Sequence, residues 1–142
     1  MFKIFEIKVR GLPPQKDDTK SPWQASEAER TLALRHEVAK RRNGAGPFST
    51  PIKLHLRIFL PHSEGAVKHG ELETYIAGVC AALEHIPAGA VMTPSLQNAK
   101  GVENPCEPLL IGPEASIMLI DAKKIISPDV KEPFYEIQLE GE

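Results

Sequence analysis

The sequence has few of the residues that build disulfide frameworks or cross membranes. Only two cysteines, Cys80 and Cys106, occur among the 142 residues, too few for a disulfide-stabilised scaffold. No apolar run approaches the roughly 20 residues that a membrane-spanning helix needs. The opening residues, MFKIFEIKVRG, alternate charged and apolar side chains, unlike a signal peptide. We therefore expect a cytoplasmic protein with no membrane association.

The motifs of several common catalytic sites are also missing. There is no glycine-rich phosphate loop, no nucleophile elbow and no C-x-x-C pair. His55, His62, His69 and Cys80 have spacings that fit no ordinary zinc site. These absences argue against nucleotide-binding, serine-hydrolase and thiol-redox enzymes, and we expect no small-molecule cofactor.

Charge is distributed unevenly along a chain whose net charge is only −2. Residues 1–70 contain 13 basic and 7 acidic residues, whereas residues 71–142 contain 4 basic and 12 acidic residues. One reading is a basic surface that faces a polyanion and an acidic site that holds cations. The other is that the two oppositely charged halves dock on each other.

Hydrophobic periodicity predicts four strands and two helices. Apolar and polar residues alternate in IKLHLRIFL, residues 52–60, as in a half-buried strand. In residues 68–85, apolar residues recur at steps of three and four, as on one face of a helix. Ser21-Pro22 is a helix-start signal. The predicted elements are strands at residues 2–10, 52–60, 116–126 and 134–139 and helices at residues 23–42 and 68–85.

This order, β-α-β-α-β-β, predicts an α/β (α+β) fold with a small mixed four-stranded sheet packed with two helices. The length suits a single domain over residues 1–142. A proline- and glycine-rich loop is predicted at about residues 87–113, and loops of that length are often functional or mobile.

Two glutamates, Glu71 and Glu73, lie near the N-terminus of the second predicted helix. Residues two apart on a helix point about 200° apart, so their carboxylates converge only if Glu71 lies at or before the helix cap. Such a pair could chelate a hard divalent cation, because Mg²⁺ and Mn²⁺ prefer carboxylate oxygens. Alternatively, the pair only stabilises the helix dipole and caps free amides.

The segment around these glutamates carries a family resemblance. GLPP precedes a Trp-led helix, the second strand ends in Leu60-Pro61, and residues 70–83 read G-E-L-E-T-x6-A-A-L. This arrangement resembles the RusA-type Holliday-junction resolvases, in which G-D-L-D-N opens the second helix and D-A-L ends it. The resemblance spans nearly the whole chain, although its core motif is short and matches only in residue type.

The resemblance implies a metal-dependent endonuclease that resolves branched DNA as a homodimer. Carried over by position, the catalytic and metal-binding carboxylates are Glu71, Glu73 and Glu114, with Mg²⁺ or Mn²⁺ as the cofactor. A two-fold homodimer would supply the two related sites that paired nicks require. The residues expected to contact the DNA backbone are Lys124, Lys40, Arg41, Arg42 and Lys68.

The chain departs from the family pattern at several positions. Glutamate replaces all three motif aspartates, Thr74 stands in place of asparagine, Ala81 replaces the aspartate of D-A-L, and Ala77 occupies the place of a frequent lysine. Misplacing a ligand by about 1 Å can cost about a hundredfold in rate. The alternative is therefore a catalytically degenerate RusA-like protein that binds nucleic acid or protein, with its carboxylates left as helix caps.

Two further alternatives remain open. The basic residues 40–42 suit a helix C-terminus as well as they suit DNA, because cations there offset the helix dipole. A third and weaker functional reading is a small-molecule- or protein-binding module whose pocket is covered by residues 87–113.

Overall fold

The computed structural model describes residues 3–19, 21–24, 27–42, 48, 51–61, 71–84, 111 and 117–141. Among these residues, the chain forms four strands and two helices in the predicted order β-α-β-α-β-β. The elements are β1 (Lys3–Arg10), α1 (Ala28–Arg42), β2 (Ile52–Pro61), α2 (Leu72–Leu83), β3 (Ile117–Ser127) and β4 (Phe134–Gly141).

The four strands form one mixed sheet with the order β1-β4-β2-β3. The last strand, β4, lies between β1 and β2 and is antiparallel to both. The β2 and β3 strands are parallel, so α2 is the connecting helix of a β-α-β unit. The predicted fold class, a mixed four-stranded sheet with two helices, is confirmed.

Both helices contribute to one hydrophobic core on one face of the sheet. In β2, the alternate residues 52, 54, 56, 58 and 60 have no exposed surface, as the alternation in the sequence predicted. Leu34 and Val38 of α1 and Val79 and Leu83 of α2 join this core. The opposite face, here termed the open face, carries most of the charged side chains of the strands, together with apolar residues such as Phe59, Phe134 and Leu119.

The start of α1 was predicted wrongly. Ser21 organises a separate turn, in which its hydroxyl accepts a hydrogen bond from the Trp23 amide (3.3 Å) and its carbonyl accepts one from the Gln24 amide (3.1 Å). The helix itself begins at Ala28. The serine-proline signal therefore marks a turn before the helix, because a capped turn does not have to propagate.

The buried face of α1 is not purely apolar. Ala28 is buried, but Leu32 and Ala39 are only half-buried. The buried positions include two polar residues, Thr31 at 0% and Arg35 at 1% exposure. Polar side chains conceal the true apolar stripe, because a periodicity argument assigns them to the surface.

The predicted loop at residues 87–113 lies outside the described residues, except for Ile111. The Ile111 amide donates a hydrogen bond to the Leu83 carbonyl at 3.2 Å, and Ile111 forms a parallel bridge with Phe48. Within the described part of the chain, neither helix has the length and apolar character that crossing a bilayer requires.

Candidate metal and nucleic-acid site at the start of the second helix

Glu71 occupies the N-cap of α2, which is the position that the sequence argument required. Its backbone is extended, with φ −71° and ψ 149°. The direction of its side chain is therefore not fixed at the roughly 200° from that of Glu73 that a helix would impose. Both glutamates are exposed. Among the described residues, no side-chain hydrogen bond from Glu71 caps the helix. The backbone therefore permits the two carboxylates to converge.

Thr74 stabilises the first turn of α2 through hydrogen bonds. Its hydroxyl donates a hydrogen bond to the Glu71 carbonyl at 2.7 Å and accepts one from the side-chain amide of Gln15 at 3.0 Å. The amides of Thr74 and Tyr75 also donate to the Glu71 carbonyl, at 3.1 and 3.4 Å. Thr74 thus fixes the backbone that carries Glu71 and attaches it to the β1–α1 loop, residues 11–19.

The β1–α1 loop packs closely along α2. The Lys16 amide donates a hydrogen bond to the Thr74 carbonyl at 3.0 Å, and a Cβ atom added to Gly78 would overlap the Pro14 carbonyl. The buried carboxylate of Glu27 accepts a hydrogen bond from the Gln15 amide at 2.8 Å. The first turn of α2 is therefore held on a rigid support, which a site that positions ligands requires.

Two lysines lie at the same end of α2 as the glutamates. The Lys124 ammonium is 5.7 Å from the centroid of the Tyr75 ring, which places it beside the first turn. Lys16 is exposed on the loop that contacts Thr74. The start of α2 therefore combines two carboxylates, a helix N-terminus and two cations.

Lys40 and Arg41 lie at the C-terminal end of α1. Arg41 borders a surface groove with Ile4, Phe5 and Glu6, at the start of β1, whereas the start of α2 contacts the loop that follows β1. Lys40 forms an ion pair with Glu37 at 3.7 Å. The 15 residues of α1 span about 22 Å, so the structure does not bring Lys40 and Arg41 beside Glu71 and Glu73.

Three other predicted residues have no described side-chain position. Glu114 and Lys68 lie outside the described residues, and Arg42 ends α1 without a described side chain. Within the described ranges, no group of three or more histidine, cysteine, aspartate or glutamate side chains is arranged to hold a metal ion. Ile111 contacts the end of α2 at Leu83, about 18 Å along the helix from Glu71. The three-carboxylate site therefore stays a prediction.

The thiol of Cys80 lies four residues before the C-cap of α2. Burial, with a further contribution from the Glu84 carboxylate and an opposing one from the Lys16 ammonium, raises the pKa of Cys80 from 9.0 to about 11. The thiol is therefore protonated at neutral pH and packs against the core, as expected for a cysteine that acts as a small hydrophobic residue.

The open face of the sheet explains much of the charge asymmetry in the sequence. Because acidic β4 inserts between basic β1 and β2, the register places Glu136 opposite both Lys8 and Arg57. Glu140 likewise lies opposite Lys53. The structure thus supports the reading in which the two oppositely charged halves of the chain dock on each other.

A groove of about 300 Å³ runs over this open face. It combines cationic and anionic side chains, so it is not a uniformly basic surface. Beside it, Phe59 and Phe134 stack with ring centroids 4.5 Å apart, and Lys8 lies 4.3 Å from the Phe134 centroid. The charged residues of the groove are Glu6, Lys8, Arg41, His55, Arg57 and Glu136.

Comparison with known proteins does not assign the chain to a family. No protein-family model matches the sequence, and no curated protein matches it significantly.

Sequence reasoning missed the buried polar residues that hold the two ends of α2. Gln15, Glu27 and Arg35 are 5%, 4% and 1% exposed, yet residues of these types usually lie on the surface. Lys16 was missed because it lies far from α2 in the sequence. Of these contacts, the packing of the β1–α1 loop against Gly78 could have been inferred from the sequence, because a glycine inside a helix often marks a close approach of another backbone.

Proposed function

We propose that this protein is a RusA-like, metal-dependent endonuclease that acts on branched DNA as a homodimer. Glu71 and Glu73 are the metal ligands at the start of α2, and Glu114 is the predicted third carboxylate. The observation that carries this proposal is the extended N-cap conformation of Glu71, which frees its carboxylate from the helical geometry that would hold it away from Glu73.

The surroundings of the two glutamates support this assignment. The hydrogen bonds from Thr74 and Gln15 hold the N-cap backbone in one conformation, which limits the entropy lost when a ligand binds. Oxygen ligands of this type suit Mg²⁺ or Mn²⁺. A bound divalent cation would activate water and offset the charge of the scissile phosphodiester.

Lys16 and Lys124 are the cations best placed to contact DNA near the acidic pair, one from the β1–α1 loop and one from β3. Phosphate contacts of this kind would make binding depend steeply on salt concentration. Lys40 and Arg41, at the C-terminal end of α1, would contact DNA only where it extends beyond the acidic pair, and Arg42 and Lys68 stay predicted contacts.

A second candidate is a non-catalytic RusA-like protein that binds nucleic acid or protein. One observation favours it: the glutamates of this chain are one methylene longer than the aspartates of the family motif. In this alternative, Glu73 only stabilises the N-terminus of α2, where an acidic residue offsets the helix dipole.

The deciding experiment incubates a synthetic four-way junction with the protein at low salt, with Mg²⁺ or Mn²⁺ and without either. The proposal predicts symmetric nicks that need metal and fall by about a hundredfold or more in Glu73→Gln. Glu29→Gln is the matched control, because Glu29 is an exposed glutamate in the first turn of α1. It should cleave like the wild type.

The alternatives give different results in the same experiment. Junction binding without cleavage under any metal condition would favour the non-catalytic candidate. Binding of neither junction nor duplex DNA would reject both nucleic-acid functions and leave a small-molecule- or protein-binding module. Cleavage that persists unchanged in Glu73→Gln would remove the acidic pair from the mechanism.

A further inference from the structure

The β3 strand forms an edge of the sheet that is rich in exposed apolar side chains. Within the described residues, β3 pairs only with β2, so among those residues its other backbone edge has no partner strand. Met118, Leu119 and Ile120 are 65%, 44% and 47% exposed, and Ile126 is 42% exposed. A long apolar edge strand is a template for pairing with another strand.

The register with β2 determines which β3 side chains share a face. Asp121 lies opposite His55 and Lys123 lies opposite Arg57, and both point to the open face of the sheet. Leu119 and Ile125, opposite Lys53 and Phe59, lie on that face too. Along β3, the open face therefore reads apolar, acidic, basic, apolar.

We propose that two copies of this chain pair through their β3 edges, antiparallel, with Ala122 on the two-fold axis. In this register Asp121 lies opposite Lys123 of the second copy, and Lys123 lies opposite Asp121 of the second copy. Leu119 of each copy likewise lies opposite Ile125 of the other. Opposite charges and apolar residues are the favourable cross-strand pairs, and the symmetry forms each of them twice.

Neighbouring registers that also keep the two open faces on one side lack this complementarity. Centring the axis on Lys123 would place two lysines against each other, and centring it on Asp121 would oppose two aspartates. Directly opposed like charges destabilise a strand pair. The charge pattern of β3 therefore favours the register centred on Ala122 over the two adjacent ones, and a second copy of the same strand fits it.

The pairing would join the two sheets into a single eight-stranded sheet, with the two helices of each copy on the same side. The two α2 helices would then be related by the two-fold axis next to β3. This inference does not depend on DNA cleavage, because it rests on the edge strand alone. It would also serve the proposed function, since two symmetric sites are what paired nicks require.

Charge reversal tests the register, with sedimentation velocity over a concentration series as the readout. The wild type should dimerise. Lys123→Asp should raise the dimer dissociation constant by about tenfold or more, because two cross-strand pairs change sign together, and Asp121→Lys should do the same. The double variant Asp121→Lys/Lys123→Asp should restore the dimer, because it exchanges the partners and keeps both pairs.

Lys131→Asp is the matched control, because Lys131 is exposed in the β3–β4 turn, away from the β3 edge. It should dimerise like the wild type. Circular dichroism of each variant establishes that the fold is retained. A wild type that stays monomeric, a dimer that Lys123→Asp leaves intact, or a double variant that stays dissociated would each overturn the proposal.

A cross-link gives an independent readout of the axis. Residues directly opposed in an antiparallel pair have Cα atoms about 4.5–5.5 Å apart, within the range that a disulfide spans. Ala122→Cys should therefore oxidise to a covalent dimer, and Lys131→Cys should not. The wild type, with Cys80 and Cys106, gives the background. Equal cross-linking in all three proteins would contradict a two-fold axis at residue 122.

Discussion

The two ends of α2 are held by polar residues in opposite ways. At its start, Thr74 and Gln15 fix an exposed turn that presents Glu71 and Glu73 to solvent. At its end, Arg35 of α1 is 1% exposed and donates hydrogen bonds to the carbonyls of Ala82 and Glu84, at 2.7 and 3.1 Å.

The difference shows which end is structural and which is available for function. Within its own last turn, α2 has no basic residue, so the buried guanidinium of Arg35 supplies both the hydrogen bonds and the positive charge that suit a helix C-terminus. The start of α2 is stabilised through its backbone, which leaves its carboxylates open to solvent. We therefore expect changes at the end of α2 to affect stability, and changes at the start to affect binding.

The largest effect is expected for Arg35→Met. Methionine keeps an apolar stem of similar reach but leaves the carbonyls of Ala82 and Glu84 without their buried donor. The free energy of unfolding, measured by urea denaturation, should fall by about 3 kcal/mol. Lys40→Met, which removes an exposed pair with Glu37, should cost less than about 1 kcal/mol. Equal losses in the two variants would mean that the end of α2 does not depend on Arg35.

An intermediate effect is expected for Gly78→Ala. Alanine normally favours a helix over glycine, but here its Cβ would overlap the Pro14 carbonyl. We expect a loss of about 1–3 kcal/mol together with faster hydrogen exchange at the Lys16 amide, which bonds to Thr74.

Val79→Ala is the comparison for Gly78→Ala. Val79 is fully buried, so its truncation lowers stability through the core and leaves the loop contact in place. If Gly78→Ala accelerates exchange at Lys16 no more than Val79→Ala does, the loop is not held on α2 at Gly78.

The smallest effect at neutral pH is expected from Cys80, because its influence on stability appears only above about pH 9. Because the pKa of Cys80 is raised from 9.0 to about 11, the folded state keeps a proton that the unfolded state loses. The free energy of unfolding should therefore fall as pH rises from about 9 to about 11. Cys80→Ala should make this slope shallower, and Glu84→Gln should lower the pKa of the thiol. Part of the slope above about pH 10 should remain, because burial also raises the pKa of Tyr135. An identical slope in Cys80→Ala would contradict this assignment.

The helices and strands and their order along the chain could be predicted because side-chain periodicity is local. Every second residue of β2 is fully buried, as its sequence pattern indicated, and α2 carries the apolar face that its spacing predicted. Both patterns arise from burial on one side of an element. Local periodicity was therefore sufficient to predict the fold class.

The features that the sequence did not reveal depend on contacts between distant residues. The position of β4 between β1 and β2 pairs residues more than 100 positions apart, such as Lys8 and Glu136. Arg35 and Glu27 are buried only because the fold provides partners for them. A single sequence shows a charged residue in a helix but not the carbonyl or amide that it will meet.

The candidate site was predictable only in part for the same reason. The sequence argument set the condition that Glu71 must lie at or before the helix cap for the pair to converge, and the structure places Glu71 at the N-cap. The loop that supports the site did not follow, because Gln15 and Thr74 are 59 residues apart in the chain.

The most direct test of the central claim is paramagnetic broadening by Mn²⁺ in the amide NMR spectrum. If Glu71 and Glu73 hold a divalent cation, substoichiometric Mn²⁺ should broaden the amides of residues 71–75 and of Lys16 first. The effect should disappear in Glu73→Gln and persist in Glu29→Gln. Broadening that is centred elsewhere, or that Glu73→Gln leaves unchanged, would contradict a metal site at the start of α2.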